Sequence, residues 1–230
     1  MLLWADGVTV ARGRTTLLRD YSLELEAGES VHLRGANGCG KSSLMRVLAG
    51  VVEPRRGAVT RTARCQYVPE RVALPESLPA RRWLRVCGAG GAGLPDELNR
   101  RCGALSNGQQ QRVVLTAAMT DRSSSPSILL LDEPWAGLDA DARDALDANL
   151  TSVVAQGSAV IYTDHGHETA LVPSRTVDLT DGGFELAAAD GLVRVELRRG
   201  DERTHVVISD QALAARLSDG WWIEQIDEVR

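Results

Sequence analysis

A chain of 230 residues, 43% hydrophobic and 25% charged, has the composition of a soluble globular protein and room for one large domain with a small appendage. Its formal net charge of −5 argues against a dedicated nucleic-acid binder, which would carry a basic excess, so no nucleic-acid partner is expected. No apolar run is long enough to span a bilayer and residues 1–6 lack the features of a signal peptide, so the chain is expected in the cytoplasm, with any membrane contact made through a partner.

In chain order, residues 2–10 and 17–25 are two apolar-rich stretches around Arg12-Gly13-Arg14 and predict a pair of strands joined by a turn. Ala27-Gly28-Glu29 turns the chain into a short alternating strand, Ser30-Val31-His32-Leu33-Arg34. It feeds Gly35-Ala36-Asn37-Gly38-Cys39-Gly40-Lys41-Ser42, which fits G-x-x-x-x-G-K-[ST], the phosphate-binding loop. Leu44, Val47 and Leu48 then fall at helical spacing, and Gly50 is a stop signal. Glycines let backbone N–H groups turn inward on an anion, and a helix starting near Lys41 adds its positive end. Lys41 would reach the outer phosphates and the Ser42 hydroxyl would hold Mg²⁺.

After a breaker cluster at residues 53–57, short strands are expected at 58–60 and 66–68. Three prolines and the glycine-rich run 88–93, a flexible joint by composition, interrupt helical pieces between 71 and 125. A firmer helix is predicted from about Gln109 through Met119, capped by Ser106 or Asn107. The unbroken apolar run Ile128-Leu129-Leu130-Leu131 reads as a central parallel strand ending at Asp132-Glu133-Pro134. A helix over 141–154 leads to a strand at 159–162, which ends at Thr163-Asp164-His165. Strand-helix-strand repeats imply a parallel sheet with ligands at the carboxyl ends of its strands, where all three candidate positions fall. Past Gly182-Gly183 a β-β-α-β appendage is expected, its helix over 209–217 and its last strand at 221–226, with Trp221 and Trp222 on opposite faces.

The four cysteines are scattered and predict reduced structural thiols. Cys39, inside the phosphate loop, is expected to react with alkylating reagents and to be shielded by nucleotide.

In their order these motifs resemble the nucleotide-binding subunit of an ABC transporter over roughly the first 185 residues. The phosphate loop comes first, then Tyr67-Val68-Pro69-Glu70 at the place of the family's Q-loop, and Leu105-Ser106-Asn107-Gly108-Gln109 as its signature. Residues 128–133 match the Walker B strand, Trp135-Ala136-Gly137-Leu138-Asp139 the D-loop, and His165 the switch histidine. The resemblance implies an α/β P-loop NTPase of the ABC type, spanning 1–185. Its parts would be an N-terminal antiparallel β subdomain, a short helical subdomain at about 71–125 and the core; residues 186–230 would form a small extension.

It also implies an ATPase with ATP and Mg²⁺ as cofactors. Gly35, Asn37, Gly38, Cys39, Gly40, Lys41, Ser42 and Ser43 would cradle the phosphates, and Ser42, Glu70 and Asp132 would serve the metal. Glu133 would orient and deprotonate the attacking water, with Lys41 and His165 on the γ-phosphate. Ser106, Gly108 and Gln109 would close on nucleotide held by a second subunit, identical or homologous, and the work would go to an integral membrane subunit.

Three positions and the length of one region depart from the family pattern. Glu70 stands for the usual glutamine, as in a subset of export-type subunits, which points to export. Asn107 replaces the first signature glycine and tolerates a left-handed backbone. Arg12 falls where the family stacks an aromatic ring on adenine, and its guanidinium would stack instead. The helical subdomain is short for the family. The alternative function is a soluble ABC-type ATPase in assembly, repair or translation.

Overall fold

The computed structural model describes residues 1–89, 99–120, 126–164, 169–180, 183–187, 192–199, 202–209 and 222–228, with backbone alone from residue 180 onward. Strands β1 (Leu3–Arg12) and β2 (Thr15–Leu25) form the expected antiparallel pair, and Arg12 lies opposite Thr15 across the turn. Strict alternation would bury Leu3, Ala5, Gly7 and Thr9 on one face of β1. Instead Leu3, Ala5, Val8 and Val10 are buried, because the pairing is irregular between Ala5 and Val8, where Gly7 takes φ 56°. An extra residue at such a bulge re-phases the strand, so that both apolar halves face the core.

Strand β3 (Ser30–Gly35) enters the phosphate loop and helix α1 (Lys41–Leu48) leaves it. Strand β4 (Arg56–Arg61) returns to pair antiparallel with β1, completing the sheet β2-β1-β4. The central sheet adds β5 (Arg64–Val68), β6 (Ser127–Leu131), β7 (Ala159–Tyr162), β8 (Arg175–Thr180) and β9 (Gly183–Ala187). Its order is β5-β6-β7-β3-β8-β9, parallel except for β9, which runs antiparallel to β8 and crosses the expected boundary at 185.

The continuous apolar run of β6 is explained by its two faces. Ile128 and Leu130 join the core formed with β1, β2 and α1, whereas Leu129 and Leu131 join a second core with Trp135, Leu146 and Leu150. That second core is closed by helix α4 (Ala140–Ala155), capped by the Asp139 side chain, which accepts from the Ala142 N–H at 2.8 Å. Between β5 and β6 lies the small helical subdomain. Its described residues include helix α2 (Ala80–Val86), a 3₁₀ turn at Cys102–Ala104 and helix α3 (Asn107–Thr120), around a core of Leu74, Leu84, Cys102, Leu105 and Val113.

The C-terminal strands β10 (Leu192–Arg199), β11 (Glu202–Ser209) and β12 (Trp222–Glu228) form a separate antiparallel sheet with β10 in the middle. The expected helix at 209–217 and the face taken by Trp221 lie outside the described residues, as do residues 90–93 of the glycine-rich run.

Candidate active site

Three neighbouring strands of the central sheet carry the site: β6, β7 and β3. In register, Leu131 stands level with Tyr162, and Tyr162 with His32, so Asp132, Thr163 and the phosphate loop emerge side by side. The loop takes its shape from glycine. Gly35 has φ 147°, and a Cβ there would stand 2.6 Å from the Leu179 carbonyl oxygen and 2.7 Å from Cys39 Sγ. Any side chain at residue 35 would therefore push the loop off β8. Lys41 is 8% exposed, and its ammonium folds back over the loop, donating to the carbonyl oxygens of Gly35 at 2.6 Å and Ala36 at 3.2 Å.

Asp132 and Glu133 are each 4% exposed. Glu133 has φ 53°, the left-handed region that costs a side-chain-bearing residue roughly 1–2 kcal/mol. Thr163 holds it there. The Glu133 N–H donates to Thr163 Oγ1 at 3.0 Å, and the same hydroxyl donates to Asp132 Oδ1 at 2.9 Å, so one buried threonine holds the Asp132 carboxylate and the Glu133 backbone. On the other oxygen, the Tyr67 hydroxyl donates to Asp132 Oδ2 at 3.2 Å, tying the start of the Q-loop segment to the Walker B strand. Burial, then the Asp132 charge, raises the Tyr67 phenol above its ordinary pKa, with Arg46 opposing, so it remains a proton donor. The sequence places Tyr67 and Thr163 at the starts of two motif stretches but assigns neither a role; their hydrogen bonds to Asp132 and Glu133 come from the fold.

At the signature, Ser106 and Gln109 form a reciprocal cap on α3. The Gln109 N–H donates to Ser106 Oγ at 3.3 Å, and the Ser106 N–H donates to Gln109 Oε1 at 2.9 Å. Ser106 thus decides between the two expected caps, and the Gln109 side chain serves its own helix start. A Cβ on Gly108 would stand 2.3 Å from the Gly137 carbonyl oxygen, so this glycine is required by close packing of the signature on the D-loop of the same chain.

Of the remaining expected residues, Ser42 and Ser43 lie half-buried at the start of α1, while Asn37, Gly38 and Arg12 are exposed. Glu70 is also exposed, with the Arg71 guanidinium 3.9 Å away. Cys39 corrects an expectation: it is 6% exposed, its sulfur lodged beneath Gly35, so the thiol is packed under the loop rather than presented to alkylating reagents. All four cysteines are free thiols. His165 lies outside the described residues.

Comparison with known proteins bears on this geometry. Residues 18–136 match the family model described as ABC transporter. Over 171 residues the chain is 40% identical to the cytochrome c biogenesis ATP-binding export protein CcmA of Novosphingobium aromaticivorans, covering 71% of this chain and 88% of that one. It is 34% identical to the zinc import ATP-binding protein ZnuC of a Jannaschia species, covering 84% of each. The chain belongs to the ABC transporter family. Among solved structures, an ATP-binding subunit of an ABC transporter superposes with TM-score 0.72 at 22% identity, over 96% of this chain and 95% of that one. An ATP-binding cassette in a dimeric post-hydrolysis state with ADP and Pi gives 0.67 at 20%, over 82% and 100%. At such identities these two likenesses bear on the fold alone.

This ABC subunit is an ATPase that uses ATP and Mg²⁺. The donors fit a hard divalent cation: Ser42 offers a hydroxyl and Asp132 a carboxylate already oriented by two hydroxyl donors. Among the described residues no group of three or more His, Cys, Asp and Glu gathers as a metal cage. Bound there, Mg²⁺ would neutralise charge on the phosphates. Replacing Thr163 by Val keeps the shape but leaves the Glu133 N–H unpaired in a buried site. We expect Thr163→Val to lose about 1–3 kcal/mol of stability by denaturant titration and to hydrolyse ATP more slowly at unchanged ATP affinity.

Proposed function

We propose that this ABC ATPase works as a pair of identical copies enclosing two MgATP molecules head to tail, and that their closing and opening drives a separate integral membrane subunit in export. The observation that carries the reading is the exposed Ser106 at the capped start of α3, a second anion-binding end set apart in sequence from the Lys41 loop. The chain has one set of motifs, so a complete site needs the signature of a second subunit, another copy or a homologue. Lys41 and the loop glycines hold the phosphates, Ser42, Asp132 and Glu70 serve Mg²⁺, and Arg12 lies against adenine. Glu133 takes the proton of the attacking water, while His165 and, from the other copy, Ser106 and Gly108 contact the γ-phosphate.

Among the described residues no helix is long and apolar enough to cross a membrane; in this reading the chain sits on the inner face of the cell membrane through its membrane partner. Because β9 belongs to the central sheet, residues 1–187 act as the ATPase unit, with the sheet of β10, β11 and β12 in an extension. Export is favoured by Glu70, which stands where a subset of export-type subunits carries glutamate. The test is co-purification from native membranes. A polytopic protein should accompany the tagged chain and raise its ATPase rate; a chain recovered alone, with a rate indifferent to membrane extract, would contradict the reading.

A further inference from the structure

Asp147 of α4 is 6% exposed, and its carboxylate takes no part in the chemistry described above, yet it accepts three short hydrogen bonds from two functional segments. Oδ1 accepts from Trp135 Nε1 and from Thr169 Oγ1, each at 2.8 Å, and Oδ2 accepts from the Ala170 N–H at 2.6 Å. Trp135 opens the D-loop two residues past Glu133, and Thr169 and Ala170 come five and six residues after Asp164. Trp135 is 1% exposed and stands edge-on to Tyr162, with ring centroids 5.2 Å apart at 79°. Tyr162 immediately precedes Thr163, and its ring stacks on His32 of β3 at 4.8 Å.

We propose that Asp147 is a positioning residue for ATP hydrolysis, fastening the segment after Glu133 and the segment after Asp164 to one helix so that the base and its Thr163 support keep a fixed spacing. Glu133 sits in a strained backbone conformation, so its direction depends on what anchors the chain on either side. Thr163 anchors the Glu133 N–H, and Asp147, through Trp135, anchors the chain on the C-terminal side. A carboxylate suits this place because all three partners are donors. An asparagine has one acceptor oxygen, so its amino group must face a donor whichever way it turns. This role rests on the ATPase reading, and wild-type turnover is measured first; its absence would fault that reading instead.

The test compares Asp147→Asn, Trp135→Phe and Thr169→Val in the full chain, well below each melting midpoint. Asp147→Asn should lower kcat roughly 10- to 100-fold with KM and ATP affinity within about 2-fold of wild type, as misplacement of a reacting group does. The two milder variants, which each remove one donor, Thr169→Val at nearly constant volume and Trp135→Phe with a smaller apolar ring, should lower kcat by several-fold, and combining either with Asp147→Asn should add less than its own effect. The indole N–H resonance of Trp135, assigned by its loss in Trp135→Phe, should shift in Asp147→Asn. A purely structural role would lower the midpoint and leave kcat of the folded protein intact. That result overturns the proposal, as does wild-type kcat in both milder variants should Asp147→Asn fail to fold.

Discussion

Glu133→Gln is expected to bind MgATP as wild type does and to hydrolyse it roughly 10²–10⁴-fold more slowly, the span associated with loss of a general base. The amide is nearly isosteric, so the left-handed backbone, the N–H bond to Thr163 and the tight turn from the Glu133 carbonyl oxygen to the Ala136 N–H at 3.1 Å all survive. What disappears is the basicity of the carboxylate, which on this reading takes the proton of the attacking water. Because Lys41 and the loop glycines are untouched, affinity measured by titration with a fluorescent ATP analogue should hold while phosphate release falls. Normal turnover would refute the assignment of the base.

Lys41→Met carries the second large effect, on binding. The ammonium rests on the carbonyl oxygens of Gly35 and Ala36, so reaching a phosphate exchanges neutral acceptors for a charged one. Hydrogen bonds to charged groups are worth about 1.5–3 kcal/mol, which predicts an affinity loss of about 10- to 150-fold. Methionine keeps the aliphatic stem, so the loop should not collapse into the space left. Lys41 is also the single lysine of the chain, which gives an independent check. Away from the α-amino group, acylation should modify this one amine, and MgATP should protect it. Unchanged affinity in the variant, or acylation indifferent to nucleotide, would remove Lys41 from the phosphate cradle.

Much of this site is legible in the sequence because its parts are local. A phosphate loop must announce itself through glycines, since no other residue fits where Gly35 meets Leu179 and Cys39. The apolar run of β6 likewise advertises a strand covered on both faces. The connections made through space are different. Strand β8 is faint in the sequence because Arg175–Thr180 holds only two apolar residues, Val177 and Leu179, and it gains its place by pairing with β3, 144 residues earlier from Ser174 to Ser30. Thr163, Tyr67 and Asp147 are ordinary residues until the sheet register sets them beside Asp132 and Trp135. Cys39 fails as a reactive thiol for the same reason: its sulfur packs against a glycine that lies next to it only in the folded loop.

The central claim is that nucleotide joins two copies of this chain. Light scattering on Glu133→Gln, with and without saturating MgATP, tests it most directly. A mass that doubles on adding nucleotide, and no longer doubles when Ser106→Arg is introduced into the same protein, is the predicted result. A mass that stays that of one chain while ATP is demonstrably bound would contradict it.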